Sequence, residues 1–331
     1  MIVTRTPLRV SFCGGGSDIP SFYTKHGGCV ISTTINKYVY IAAHKSFYPD
    51  KYILKYSESE RVGSVDEIKH KYFRECLKEY KTGPVELTSM ADVPAGTGLG
   101  SSSSFSVGLI HALRTFKGLE SDKGGLASEA CKLEIDTLGG NIGKQDQYAA
   151  AYGGMNFYTF HKDGAVSVEE VRIDEKARNT MDSNLMMFYV QGEHNASDII
   201  TDMNKNVSSG SPEENQLKMC DIARKLRNEL ENGDIDALGE RLDESWTLKK
   251  TLSNKISNPM INKCYDVAKD AGAIGGKLLG AGGCGFILLY VPSDDAKEKV
   301  KRAMNLEGCV EMPFRFENQG SVVIYNDLLM D

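Results

Sequence analysis

The chain of 331 residues predicts an α+β fold in two domains, and three observations carry that expectation. Its length corresponds to roughly two domains or one large one. Strand-period and helix-period segments are interleaved without an internal repeat, a pattern that a compact sheet covered by helices on one face satisfies. The stretch KDGAVSVEEVRIDEKARNTMDSN (162–184) is polar and loses periodicity at its end, which places a boundary near 180. The domains are therefore expected at 1–180 and 181–331.

Taken in order, residues 1–12 and 28–43 read as strands, because GCVISTTINKYVYIAAH is rich in β-branched and aromatic residues with partial alternation. PVELTSMAD (84–92) reads as a third strand. A helix is expected from about Ser102 to Lys117, where Phe105, Leu109, Ile110, Leu113 and Phe116 recur on one side. A second helix, 122–138, ends at Gly139-Gly140, a stop signal. Beyond the boundary come a strand at 185–191, three or four helices between 196 and 272, and a tail of strand GFILLYV, helix SDDAKEKVKRAM, strand CVEMPFRF and strand SVVIYN.

Composition narrows the classes of function. With 41% hydrophobic and 25% charged residues this is an ordinary globular chain. MIVTRTPLRVS has no charged leader followed by a long apolar run, and FILLYV is strand-length, far short of a membrane span. A cytoplasmic protein without a membrane segment is expected. A net charge of -6 speaks against an extended nucleic-acid surface. The eight cysteines have no CxxC or other ligand spacing and read as reduced interior residues. The six histidines (26, 44, 70, 111, 161, 194) are isolated and read as structural or surface groups.

Four stretches carry more glycine and polar residues than their neighbours need. TPLRVSFCGGGSDIPSFY (6–23) ends a strand in three glycines and an Asp, with Arg9 inside an otherwise apolar run where an unpaired cation is costly. It reads as a ligand-facing turn or as a structural Arg–Asp pair. DVPAGTGLGSSSSF (92–105) brings glycines to a helix N-terminus, where unpaired N–H groups suit a phosphate. No Lys follows its last glycine, so it is not a Walker A loop, and four serines also fit simple N-capping. CKLEIDTLGGNIGKQDQYAAAYGG (131–154) places Lys144, Asp146 and Gln147 on a loop after Glu134, candidates for a base and its partner or for a solvated turn. In GGKLLGAGGCGFILLYV (275–291), GAGGCG matches GxGxxG formally, but a strand follows it, so a glycine-rich hairpin is the physical reading.

Together PLRVSFCGGGSD, VPAGTGLGSSSS and GKLLGAGGCGF resemble the three motifs of the GHMP kinases, in order and at the usual separations, over essentially the whole chain. GGGSDIPSFY, GKQDQYAAAYGGMN and SWTLKKTLSNKISNP resemble the D-glycero-D-manno-heptose phosphate kinase branch, with the kinase domain of fucokinase a near relative. The resemblance implies an N-terminal domain of the ribosomal protein S5 domain 2-like fold and a ferredoxin-like C-terminal domain, with the site in the cleft between them.

It also implies roles. Pro94, Gly96, Gly98, Leu99, Gly100, Ser101, Ser102 and Ser103 would hold the ATP phosphates through backbone N–H groups and the dipole of the following helix. Ser102 and Glu134 would hold Mg²⁺, which suits an oxygen-only, partly hydrated site. Asp146 would be the catalytic base, Arg9 the cation near it and near the transferred phosphate, and Lys144 a further contact to phosphate or base. Gly15, Gly16, Ser17 and Asp18 would meet the sugar, as would Gly282 and Gly283 of the third motif, which would also close the site. The activity implied is ATP-dependent phosphorylation of the anomeric hydroxyl of D-glycero-D-manno-heptose 7-phosphate, a step towards nucleotide-activated heptose, in a protein for which a homodimer is open. Fucokinase activity, a diphosphomevalonate decarboxylase on a similar scaffold, and a non-catalytic sugar sensor are the alternatives. Two departures stand out: Cys284 where glycine is usual, and QGEHNAS (191–197) where relatives carry an Arg, which leaves His194 or another donor to meet the substrate's phosphate.

Overall fold

The computed structural model describes residues 1–190 and 211–327. Its frame is β1 (Ile2–Cys13) paired antiparallel to the long β2 (Gly28–Lys45). The β-branched run at the start of β2 is buried on both faces, whereas Val39, Ile41 and Ala43 alternate with more exposed neighbours in its second half. A short helix α1 (Pro20–His26) links the two strands.

Seven further strands join this pair in one nine-stranded sheet, in the order β13-β1-β2-β5-β3-β4, with β6 and β12 also bonded to β2 and β7 to β6. These are β3 (Tyr52–Lys55), β4 (Ser59–Val62), β5 (Val85–Ala91), β6 (Met155–Phe160), β7 (Val166–Glu170), β12 (Phe316–Glu317) and β13 (Val322–Asn326). Helix α2 (Lys71–Tyr80) precedes β5. The expected central helix is α3 (Ser101–Phe116), which buries Val107, Leu109, Ile110 and Leu113 against β1 and β2. Thr4 Oγ1 on β1 donates to the Gly108 carbonyl at 2.9 Å, and Gly108 leaves room for the Thr6 hydroxyl beneath it.

The helix expected at 122–138 is α4 (Lys123–Cys131), continued by a wider π-type turn over Lys132–Thr137. Such turns insert an extra residue into a helix and turn side chains to new directions. Helix α5 (Gln145–Tyr152) follows the second glycine-rich loop, and α6 (Glu175–Asn184) leads out of the first sheet.

The second sheet, β11-β8-β10-β9, is built from β8 (Leu185–Val190), β9 (Gly275–Leu278), β10 (Gly285–Tyr290) and β11 (Val310–Glu311), all antiparallel. Four helices accompany it: α7 (Ser211–Glu231), α8 (Ala237–Lys249), α9 (Pro259–Asp270) and α10 (Asp294–Leu306). Phe286, Leu288 and Tyr290 share one core with α7, α8 and the first sheet, while Ile287, Leu289 and Val291 share another with α9 and α10. The layers are thus sheet, helices, sheet, helices.

The expected strand CVEMPFRF is split. Pro313 cannot donate to a ladder, so β11 pairs with β8 while β12, five residues on, pairs with β2 of the first sheet, and β13 then adds to the edge at β1. The chain therefore leaves the first sheet at 184–185 and returns at 312–316. Residues 316–326, read from sequence with the second domain, belong to the first sheet. No helix among the described residues is long and apolar enough to cross a membrane.

Candidate active site

The cleft between the two sheets' loops, about 300 Å³, gathers all the glycine-rich stretches. Its floor is the end of β1. Arg9 is buried there and donates through Nε to Asp146 Oδ1 and through Nη2 to Asp146 Oδ2, both at 2.7 Å, a bidentate charge-assisted pair. Its third nitrogen, Nη1, donates to the Gly98 carbonyl at 2.6 Å, and its backbone N–H reaches the Leu99 carbonyl at 3.0 Å. One arginine thus ties the glycine loop to the carboxylate at the start of α5.

That loop is locked from the other side by the second domain. Gly98 has φ +87°, and a Cβ there would lie 2.7 Å from the Leu279 carbonyl oxygen; a Cβ on Gly280 would lie 2.4 Å from Gly98 Cα. Only glycine on both sides permits this approach. Gly100, at φ 73°, caps α3, so the first N–H groups of a 16-residue helix open into the cleft.

Glu134 is 1% exposed. The π-type turn aims its carboxylate at the start of α3, where Ser102 Oγ donates to Oε1 at 3.0 Å and Ser103 Oγ to Oε2 at 2.7 Å; Gln147 also donates to Oε2. Burial pushes its pKa up, against the pull of these donors. Tyr72 shares a hydrogen bond with Ser102 at 2.8 Å, and burial followed by the Glu134 charge raises its phenol to about 12.

Asp18 accepts from the N–H of Gly16 at 3.0 Å and of Gln145 at 3.1 Å. Burial, then the charge of Asp146, raises its pKa. A Cβ on Gly143 would lie 1.9 Å from Asp18 Oδ2, so this glycine is what lets the acid nestle under the loop.

The structure thus brings together Arg9, Asp146, Asp18, Glu134, Gly15, Gly16, Gly96, Gly98, Gly100, Ser101, Ser102 and Ser103 along one cleft. Other expected residues fall elsewhere. Lys144 precedes α5 and turns outward, its Nζ donating to the Gly164 carbonyl at 2.6 Å and lying over the Tyr23 ring, so it reaches neither Asp146 nor the cleft. Ser17 is spent on the backbone of Cys29, donating to its carbonyl and accepting from its N–H, both at 3.0 Å. Gly282 and Gly283 pack on Ile256, whose carbonyl accepts the Gly283 N–H at 2.9 Å; Gly280 and Ala281 line the cleft instead. Pro94 lies at the loop's exposed start and accepts from Thr97 Oγ1, while Leu99 is buried beneath it. Cys284 has no positive φ; the left-handed conformations belong to its neighbours Gly282, Gly283 and Gly285, so the thiol costs no backbone strain. His194 lies outside the described residues.

Lys249, Lys277 and Gln145 are among the cleft residues that were not anticipated. Lys249, on α8, and Lys277, on β9, are 6% and 3% exposed. Gln145 is 4% exposed and lines the cleft beside Asp146. A lone Lys in the apolar run GGKL carries the same signal that singled out Arg9, whereas Lys249 on an amphipathic helix carries none.

A cleft that joins a helix N-terminus, a carboxylate held by arginine and an oxygen-lined acid offers the kinds of group that phosphoryl transfer uses. Residues 68–154 match the model of the GHMP kinases N terminal domain and 226–308 that of the GHMP kinases C terminal domain, and the chain belongs to this family. It is 30% identical to the D-glycero-alpha-D-manno-heptose 7-phosphate kinase of Campylobacter jejuni, over 96% of this chain and 97% of that one. It is 25% identical to the galactokinase of Pyrococcus furiosus over 89% of this chain and 90% of that one. The crystal structure of a D-glycero-D-manno-heptose 1-phosphate kinase from Bacteroides thetaiotaomicron superposes with a TM-score of 0.80 at 26% identity, covering 98% of this chain and all of that one. The protein is accordingly a sugar kinase, a phosphotransferase with an alcohol acceptor and ATP as donor.

Proposed function

We propose that the protein phosphorylates the anomeric C1 hydroxyl of D-glycero-D-manno-heptose 7-phosphate with ATP. The bidentate Arg9–Asp146 pair, set between the glycine loop and Asp18, carries the mechanistic reading. Similarity to the Campylobacter enzyme over nearly the full length supports the choice of sugar.

In this reading the ATP triphosphate lies along 94–104, held by backbone N–H groups and the N-terminus of α3. Asp18, with two backbone donors already on its carboxylate, presents its remaining lone pairs to sugar hydroxyls. Asp146 accepts the C1 hydroxyl proton as that oxygen forms its bond to the γ-phosphorus and the bond to the β-phosphate oxygen breaks, releasing ADP. Arg9 fixes Asp146 in place and sets positive charge beside the equatorial oxygens. Ser102 and Glu134 present oxygen donors only, with no cage of three acidic or imidazole ligands among the described residues, as suits Mg²⁺ that keeps water and phosphate in its shell. Held there, the ion would neutralise phosphate charge.

The test is a coupled ADP-release assay with Mg-ATP over the heptose 7-phosphate, the unphosphorylated heptose, L-fucose, galactose and mannose. Turnover centred on the heptose phosphate is expected. Preference for a free sugar would move the substrate, and silence across the panel with ATP still bound would overturn the reading.

A further inference from the structure

We propose that Lys249 and Lys277 form the receiving site for the phosphate that the acceptor sugar already carries. This rests on the kinase reading above and assigns the acceptor class as a sugar bearing a phosphomonoester.

The acids of the cleft are all committed: Asp146 to Arg9, Asp18 to two backbone N–H groups, Glu134 to Ser102, Ser103 and Gln147. Among the described residues neither lysine has a carboxylate partner. Lys249 Nζ donates to the carbonyls of Gly280 and Leu278, and Lys277 Nζ to that of Phe12 at 2.9 Å. An ammonium has three N–H groups, so one remains on Lys249 and two on Lys277. Gln145 Nε2, in the same cleft, has no partner at all. The wall thus holds unspent donors on two buried basic groups with no carboxylate beside them, an arrangement that favours an incoming anion.

The position selects which anion. Phe12 is on the end of β1 that runs into Gly14–Asp18, the acceptor side, and both lysines come from the second domain. The nucleotide loop at 96–100 is held by Arg9, and Gly280, whose carbonyl takes Lys249, packs on Gly98 of that loop. Lys249 thus stands between the two sides of the cleft and Lys277 on the acceptor side. The two ammonium groups and Arg9 repel one another. Burial first, then Arg9, lowers Lys277 to about 8 against the opposing effect of Cys13, and burial, then Lys277 and Arg9, sets Lys249 well below its ordinary value. A phosphate dianion between them would relieve both.

The experiment compares wild type, Lys249→Met and Lys277→Met in the full chain, with Mg-ATP and either D-glycero-D-manno-heptose 7-phosphate or the unphosphorylated heptose as acceptor. Each variant is expected to raise KM for the sugar phosphate by on the order of 100-fold, the scale of a lost charge-assisted hydrogen bond. The free heptose, which brings no phosphate, should show no comparable rise in KM. An equal fall of kcat on both acceptors would assign the lysines to the transferred phosphoryl group and overturn the proposal, as would an unchanged KM. Wild type that is silent on every acceptor would sink the kinase reading itself, whereas wild type equally active on both heptoses would keep the kinase and sink only this site. A measurement without variants guards against misfolding: in the absence of nucleotide, the sugar phosphate should raise the melting temperature of wild type and the free heptose should not. Equal shifts with the two sugars would overturn the assignment.

Discussion

Gly98→Ala should separate catalysis from stability at the contact between the two domains. At φ +87° an alanine is strained by roughly 1–2 kcal/mol. Its Cβ would also stand 2.7 Å from the Leu279 carbonyl oxygen, where ordinary contact begins at 3.4 Å, so the loop must retreat by about 0.7 Å. The loop cannot retreat alone, because the Gly98 carbonyl takes Arg9 Nη1 at 2.6 Å and Leu99 takes the Arg9 N–H. Arg9 is drawn off Asp146, and misplacement on the 1 Å scale costs roughly 10²-fold in rate. The control is Gly118→Ala at the far end of α3, with φ +68° and nothing within reach of a Cβ. Steady-state ADP release should show kcat/KM falling about 10²-fold in Gly98→Ala and unchanged in Gly118→Ala. Denaturant unfolding should show both destabilised by at least about 1 kcal/mol. Wild-type kinetics in Gly98→Ala, or an equal kinetic loss in Gly118→Ala, would refute the idea that this contact sets the geometry of the site.

Asp146→Asn should lower kcat by roughly 10²- to 10⁴-fold while ATP binding, followed by calorimetry, is retained; near-normal turnover would remove Asp146 from the role of base. Lys144→Ala should change kcat/KM by less than about 3-fold, because its ammonium is tied to Gly164, with a stability loss near 1 kcal/mol; a 100-fold kinetic loss would return it to the chemistry. Lys277 faces Arg9 and Cys13 on β1 and Lys249 on α8, and in the free protein it loses its proton near pH 8. The charged form attracts the acceptor's phosphate, so kcat/KM for the sugar phosphate should fall as pH rises through about 8, and this limb should vanish in Lys277→Met. A limb that persists in that variant would assign the titration elsewhere.

Where the sequence carried a local physical cause, it was legible. Arg9 stood out as a cation in an apolar strand, the glycine loop as a turn into a helix N-terminus, and β2 and α3 as period-2 and period-3.6 segments. What failed depended on distant partners. Lys144 stands beside Asp146 in sequence, yet the turn into α5 sends the two side chains to opposite sides, towards Gly164 and towards Arg9. Gly282 and Gly283 share a motif with Gly280, but the hairpin presents only Gly280 to Gly98 and turns the other two onto Ile256. Glu134 was expected on a regular helix, and the π-type turn that aims it at Ser102 and Ser103 has no sequence signature. The short strands β3, β4 and β12 exist because neighbours supply their hydrogen bonds, as β12 shows by pairing with β2 from the far end of the chain.

The return of the chain at 312–316 makes the second domain an insert with both its ends attached. The outgoing and incoming crossings run side by side: the Met312 N–H reaches the Met187 carbonyl at 2.9 Å, and the Phe316 N–H reaches Asp182 Oδ1 at 2.9 Å. Two adjacent tethers pin the insert to the first sheet along one edge. Phe286, Leu288 and Tyr290 of the second sheet share one core with α7, α8 and the first sheet, so the two tethers close a seam that packing already joins. Cutting one crossing would leave the halves joined through the other, so a single proteolytic nick there should free neither domain.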